Sequence, residues 1–408
     1  MLKTIRLHNL LSFGAETEIT FNKGLNVLIG ANGSGKSNLI EVISLLQALP
    51  KDLTKVIRDG GGIEEWLWKG EKEPIARIQV KVINTESSRD WNWFDYDSET
   101  IQHTLSFSNW DYRPNVIYES LNNIYIYEER HGYPIDNQDD NVQEARYIYI
   151  KSKYGDVIES KSPWNEVQVD INIKTNQSIL AQRQDPDTYP EITYIANSYQ
   201  KIRLYREWQF GRNAIPRTLQ RADLPNDFLE ENASNLGLIL NSFRRNPEIK
   251  RKLLESLKLF YENVEDFDVI VQGGYIQVFF EENGFTIPAS RLSDGTLRYL
   301  CLLAILLHPN PPPLICIEEP ELGLHPDILP TLIDLLKQAA EKTQIIITTH
   351  SADLVDALSD MPEAVLVFDK YQGSTTVKRL NKEDLTEWLQ EYSLGQLWSR
   401  GHIGGNRW

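Results

Sequence analysis

The chain has 408 residues, 41% of them hydrophobic, with 42 lysines and arginines against 58 aspartates and glutamates, a formal net charge of −16. That length holds one large domain or roughly two to three smaller ones, with apolar content enough for a substantial core. The acidic balance argues against a broad basic face for nucleic acid and leaves only a local groove open.

The N-terminal stretch carries Lys3 and Arg6 among apolar residues, so it has no uninterrupted apolar region of a signal peptide. No apolar run reaches the length of a membrane span. Cys301 and Cys316 sit in apolar runs and read as core residues in a reducing compartment. The expectation is a soluble, cytoplasmic protein.

In chain order, Lys3 to Leu10 and Glu16 to Phe21 read as paired strands, followed by a turn at Asn22, Lys23 and Gly24. A short apolar run, Leu25 to Ile29 broken by Asn26, then enters the loop Gly30, Ala31, Asn32, Gly33, Ser34, Gly35, Lys36, Ser37. This fits G-x-x-x-x-G-K-[ST]. Glycines let the backbone turn with positive φ, so that successive N–H groups point at phosphate oxygens. Lys36 would reach the β- and γ-phosphates, and the Ser37 hydroxyl would ligate Mg²⁺. The apolar-periodic segment that follows predicts a helix whose positive end faces the anion. The loop therefore predicts a nucleoside-triphosphate site with Mg²⁺.

Gly60, Gly61 and Gly62 form a break before a segment with Trp66 and Trp68. From about Ile75 the composition shifts to alternating runs rich in Tyr, Ile and Val, separated by polar turns at 86–90, 136–141 and 153–156, which predict antiparallel sheet. The acidic stretch 136–140 reads as a solvated loop. Residues from Tyr189 to about Asn263 read as helical, with apolar positions at helical spacing. Arg244, Arg245, Lys250, Arg251 and Lys252 form one of the few basic clusters, either a solvated helix end or a contact for DNA or a partner. Trp66, Trp68, Trp91, Trp93 and Trp408 fit either packing or interface surface.

Three later motifs complete the first. RLSDGTLR, Arg291 to Arg298, opens an apolar helix, and Ser293 with the amides around Gly295 makes a second anion site. LICIEEPE, Leu314 to Glu321, is an apolar strand ending in two acids: Glu318 would hold Mg²⁺ and Glu319 would polarise the attacking water. QIIITTHS, Gln344 to Ser351, is a third apolar strand with His350 at its tip, where the ligand crevice of a parallel sheet lies.

The order of these motifs resembles the ABC-type ATPases of the RecF/SMC/OLD group. GANGSGKS looks like their Walker A, LSDGT like their signature, LICIEEPE like Walker B and TTHS like the switch histidine. The resemblance covers residues 1–50 and about 285–408 well, and the middle in outline. It implies an α/β fold, an ABC-type P-loop NTPase head with an antiparallel β subdomain and a helical insertion. The corresponding divisions are 1–74 and 265–408 for the two parts of the head, 75–188 for the β-rich insertion and 189–264 for the helical one.

The resemblance further implies a homodimer that sandwiches two ATPs, each between Asn32, Gly33, Ser34, Gly35, Lys36, Ser37 and Asn38 of one copy and Ser293 and Gly295 of the other. Larger rings of dimers stay open. Pro320 to Pro326 then resembles the loop that crosses the interface. Asp294 stands where many members carry glycine, and Glu318 replaces the usual aspartate. For the glutamine that contacts Mg²⁺, Gln182 is the choice, with Gln184 and Gln177 as rivals. The middle segment lacks the sustained heptads of an SMC coiled coil, and the residues after the last strand lack the clustered acids of a nuclease domain. A separately encoded, nuclease-like effector in DNA repair or defence against foreign DNA is the expected context, with DNA open as a direct partner. The competing readings are a slow nucleotide-dependent scaffold that restrains a toxic effector, and the nucleotide-binding subunit of a transporter.

Overall fold

The computed structural model describes residues 1–72, 74–83, 100–110, 112–124, 145–151, 156–162, 165–169, 174, 176–187, 189–206 and 208–405. The turn expected at 86–90, the acidic stretch 136–140, Trp91, Trp93 and Trp408 lie outside these residues, as does most of the turn expected at 153–156. The chain forms two compact units, one of residues 1–23, 32–201 and 368–377, the other of 24–31, 202–367 and 378–408.

In the first unit, residues of alternating polarity build an eight-stranded antiparallel sheet. Leu2–His8 lies between Thr17–Thr20 and Ala76–Ile83, with Ile5 opposite both Ile19 and Val80. The sheet continues through Thr100–Trp110, Arg113–Ile124, Ala145–Lys151, Asp156–Ser162 and Asn165–Val169. On Ala76–Ile83 the side chains of Ala76, Ile78, Val80 and Val82 are buried and alternate with more exposed ones, the period-2 pattern of a sheet with one packed face. The expected β-rich region is present.

The helix Lys36–Ala48 belongs to this unit and buries Leu39, Ile40, Val42, Ile43, Leu45 and Leu46. A shorter helix, Leu53–Asp59, is capped by Asp52, whose carboxylate accepts from the N–H groups of Thr54 and Lys55. Trp66 is buried, and the ring of Trp68 fills the space over Gly14 and Gly70, so both tryptophans serve packing.

A buried polar network ties the helix Pro190–Gln200 to the sheet. His103 and Glu119, with side chains 1% exposed, face each other at 3.0 Å. Glu119 also accepts from the Ser178 hydroxyl at 2.5 Å and the Ile179 N–H at 2.8 Å, and His103 Nδ1 meets the Tyr199 hydroxyl at 3.1 Å. Burial pushes the Tyr199 phenol up, so it stays protonated and its hydroxyl keeps a proton to donate. Polar groups this deep persist because each has partners.

In the second unit, Arg203–Tyr205, Leu314–Glu318, Gln344–Thr348 and Leu25–Gly30 pair in that order as parallel strands. The sheet continues past Leu25–Gly30 with Val365–Tyr371 and Ser374–Arg379, six strands in all, of which residues 368–377 are counted in the first unit. Every residue of Leu25–Gly30 and Gln344–Thr348 is buried, as expected of parallel strands covered on both faces. The helix Asp294–Leu306 is buried nearly all round, and Leu329–Ala340 buries one stripe.

A second, antiparallel sheet in this unit joins Gln220–Arg221, Tyr275–Glu282, Val264–Gln272 and Phe285–Pro288. Its hairpin turns at Gly273 and Gly274, φ 60° and 80°, the two adjacent positive angles of a type I′ turn.

The expected helical stretch from Tyr189 to Asn263 is helical only at its two ends. Pro190–Gln200 comes first, and Leu236–Arg244 and Pro247–Lys258 come last. Between them the chain contributes the strand Arg203–Tyr205 and a largely irregular crossing.

Candidate nucleotide site

The phosphate loop takes its shape from three glycines with positive φ, 149° at Gly30, 74° at Gly33 and 111° at Gly35. At Gly35 space also forbids a side chain: a Cβ would stand 2.3 Å from Thr375 Oγ1 and 2.9 Å from Ser12 Oγ. Thr375 Oγ1 lies 2.8 Å from the Ser34 carbonyl and 2.7 Å from the Ser12 hydroxyl, and its N–H donates to the Ser12 carbonyl at 2.8 Å. These two residues brace the loop from behind. On the second unit's side of Gly30, a Cβ on Gly405 would meet its Cα at 3.2 Å and Val367 at 2.9 Å.

The loop fits a phosphate chain. Ser34 Oγ is buried without a hydrogen-bond partner. The helix Lys36–Ala48 begins with no side-chain cap and no acid in its first turn, so its N–H groups face outward under a positive dipole. Lys36 is buried at its start, while Asn32, Gly33 and Ser37 are exposed and Asn38 is half-buried.

The carboxyl ends of the parallel strands carry the other expected groups. Glu318 ends Leu314–Glu318, and Arg206, just past Arg203–Tyr205, donates from Nε to its Oε1 at 3.3 Å. Glu319 follows with φ 45°, a left-handed conformation that few non-glycine residues adopt. Its N–H is held by the Thr348 carbonyl at 3.0 Å and hydroxyl at 3.2 Å, and its carbonyl accepts from Arg298 at 3.5 Å. His350 stands past the next strand with Nε2 3.8 Å from Glu319 Oε1. The following strand in the sheet is Leu25–Gly30, with Leu28 opposite Thr348, and it runs directly into the phosphate loop.

Ser293 is the N-cap of Asp294–Leu306, its hydroxyl accepting from the Thr296 N–H at 3.0 Å. Asp294 pairs with Arg217, which also donates to the carbonyls of Phe210, Ser290 and Leu292 and so fixes the approach to the helix. Gly295 has a packing reason to lack a side chain: a Cβ would lie 2.9 Å from the Gly323 carbonyl. The same helix carries Arg298, which lies over the rings of Phe210 and Trp208 and whose burial pushes its guanidinium below the usual value.

Gln182 and the basic cluster, both singled out in the sequence, are held by neighbouring groups. Gln182 is held within its own turn. Its Oε1 accepts from the Lys174 N–H at 2.8 Å, and its Nε2 donates to the carbonyls of Lys174 and Gln177 at 3.1 and 3.3 Å, closing its own turn. Gln177 is tied to Asp52 and the Leu53 N–H, and Gln184 donates to the carbonyls of Pro50 and Leu180. The basic cluster is also largely neutralised: Arg244 pairs with Asp268, Lys250 with Asp266, Arg251 with Glu255 and Lys252 with Glu248.

Sequence reasoning missed Arg206, Arg298, Ser12, Thr375 and the partners of Glu321. The second threonine of TTHS was the one signal in reach, since Thr349 Oγ1 donates to Glu321. The Ser37 hydroxyl and the Glu318 carboxylate are each oxygen donors of the kind Mg²⁺ accepts. Among the described residues no cluster of three or more metal-binding side chains occurs.

A phosphate loop leaving one parallel strand, with acids and a histidine at the ends of its neighbours, defines an ABC-type P-loop ATPase head. The solved Smc heads share this fold. One, bound to the C-winged helix domain of ScpA, superposes with a TM-score of 0.55 at 15% identity, covering 94% of this chain and 99% of that one. Another, with an extended coiled coil and bound to the C-terminal domain of ScpA derived from Pyrococcus furiosus, also gives 0.55, at 14% identity over 96% and 98%.

The chain belongs to the family described as "AAA domain, putative AbiEii toxin, Type IV TA system", which matches residues 25–90 and 128–356, more than half of its length. It is similar to the chromosome partition protein Smc of Fusobacterium nucleatum subsp. nucleatum, 30% identical over 110 residues, 25% of this chain and 8% of that one. It is also similar to the retron Ec83 probable ATPase of Escherichia coli, 22% identical over 370 residues, 82% of this chain and 65% of that one. The chain thus spans less than two thirds of either relative.

Proposed function

We propose that this chain binds and hydrolyses ATP at sites shared by two copies of itself, and that the cycle controls a separately encoded effector. The observation that carries this reading is the pair Glu319 and His350, 3.8 Å apart at the ends of adjacent parallel strands, beside the strand that enters the phosphate loop. Lys36 and the amides of Gly33 to Ser37 neutralise the phosphate chain. Ser37 and Glu318 would hold Mg²⁺, which would supply charge neutralisation to the phosphate chain. Glu319 orients the attacking water and accepts its proton, and His350 donates to the γ-phosphate. Ser293 and Gly295 of the second copy close over the same phosphate, so ATP favours the dimer by the contacts it makes only there.

The relative named as a retron's probable ATPase, aligned over most of this chain, supports the hydrolase reading. Smc heads solved with a ScpA domain bound support a protein partner encoded apart from the head. The effector we infer is nuclease-like and directed at foreign or damaged DNA, in the cytoplasm. The family description, which names a toxin–antitoxin system, favours one second reading: a nucleotide-held scaffold that keeps a toxic partner inactive.

Light-scattering mass of E319Q with and without Mg-ATP, alongside phosphate release by the unsubstituted protein, tests the reading. The expected result is a doubled mass for E319Q on ATP, and a transient one in the unsubstituted protein that decays as phosphate appears. A mass indifferent to ATP, with negligible phosphate release, sinks the closure cycle and favours the scaffold.

A further inference from the structure

Glu321 is the one acid of the EEPE stretch without a role in the chemistry above. It sits two residues beyond Glu319, in a turn closed by the Leu322 N–H on the Glu319 carbonyl and the Leu324 N–H on the Glu321 carbonyl. Its side chain reaches across to the neighbouring strand end. Oε1 accepts from the Thr349 hydroxyl at 2.6 Å and from the His350 N–H at 3.1 Å. Thr349, fully buried, passes the constraint on by accepting from the Ser351 N–H at 3.0 Å. The other carboxyl oxygen, Oε2, is buried with no hydrogen-bond partner, and burial pushes the carboxyl group above its usual value. Such an arrangement is costly for the fold, since an unpaired buried oxygen costs roughly 1–3 kcal/mol. Costs of this kind persist where they hold something in place.

We propose that Glu321 is a positioning residue: it straps the His350 loop to the turn that carries Glu319 and so sets the separation of those two groups. The inference rests on the ATPase reading for its consequence in turnover. Without the strap, the Thr349 hydroxyl and the His350 N–H lose their acceptor, and the imidazole is no longer held against Glu319. A displacement of about 1 Å at a reacting group costs on the order of a hundredfold in rate.

The test compares phosphate release by E321A, E321Q, T349V, H350A and the double variant E321A/H350A. E321A should lower kcat about a hundredfold while KM for ATP stays within about threefold, because the lost interaction acts in the transition state. E321Q keeps an acceptor oxygen for both donors and should recover most of that loss. T349V, which removes one donor and leaves the carboxylate, should fall between them. Since Glu321 acts through His350, E321A should cost nothing further once His350 is gone, whereas a general structural role would add in full. Full additivity overturns the proposal.

A second readout needs no turnover. The ring resonance of His350, resolved among the seven histidines by comparison with H350A, should move in E321A and stay in E321Q. If the unsubstituted protein releases no phosphate, the ATPase reading fails alone and this resonance still decides on Glu321. An unmoved resonance in E321A overturns the strap.

Discussion

Arg206 Nε lies 3.3 Å from Glu318 Oε1, so a guanidinium pairs with the carboxylate proposed to hold Mg²⁺. Both side chains are about a quarter exposed or less, which leaves the pair only partly screened. On that proposal the guanidinium and the metal would compete for one acid. A partly solvated pair of this kind contributes up to about 1 kcal/mol, equivalent to roughly fivefold in an equilibrium constant. R206M, which keeps the stem and removes the charge, should therefore lower the Mg²⁺ concentration for half-maximal phosphate release by about fivefold. A Mg²⁺ titration at fixed ATP reads this directly. An increased Mg²⁺ requirement would mean that Arg206 orients Glu318 rather than competing for it.

Gly33 and Gly35 separate backbone strain from steric exclusion within one loop. Both have positive φ, but a Cβ on Gly33 meets nothing within 4 Å, whereas one on Gly35 collides with Thr375 and Ser12. G33A should cost about 1–2 kcal/mol of stability, the price of a left-handed L-residue, with the fold kept. G35A must push Thr375 off the Ser34 carbonyl, and should destabilise by about 3 kcal/mol or more and weaken ATP binding beyond about a hundredfold. Thermal unfolding with calorimetric ATP titration checks both. Equal penalties for the two substitutions would show that Thr375 and Ser12 yield freely.

The parts of this site that were legible in the sequence are those whose meaning is local. GANGSGKS carries its own turn chemistry, and the acids of LICIEEPE stand at the end of an apolar run that a parallel sheet buries. Arg206 was not legible because its strand, Arg203–Tyr205, is three residues long and lies in a stretch of helical spacing. Only pairing with Ile315 to Ile317 makes it a strand and brings Arg206 to Glu318. Glu321 and Thr349 are 28 residues apart and meet only because their strands are neighbours in the sheet. Gln182 shows the opposite case. A polar side chain in a loop looks available until its backbone neighbours turn toward it, and those of Lys174 and Gln177 do.

Asp52 gives a pH dependence whose sign is fixed by its contacts. Hydrogen bonds from the Thr54 hydroxyl and the Gln177 amide hold its carboxyl at about 2, below the ordinary 3.8. A depressed carboxyl stabilises the folded chain fully above its unfolded value, and that stability drains away as pH falls from 3.8 through about 2. D52N retains an acceptor for the N–H groups of Thr54 and Lys55 but cannot ionise. It should be less stable than the unsubstituted protein at pH 6, with the gap narrowing below pH 3.8 as Asp52 of the unfolded chain takes up its proton while the folded carboxylate stays ionised. Because Gln177 shares this carboxylate, the same substitution should loosen the turn that Gln182 closes. Urea midpoints from pH 6 down to pH 3 measure the first effect, and amide exchange at Leu53, whose N–H donates to Gln177, measures the second. A gap that stays constant across that range would make the cap's geometry, not its charge, the source of stability.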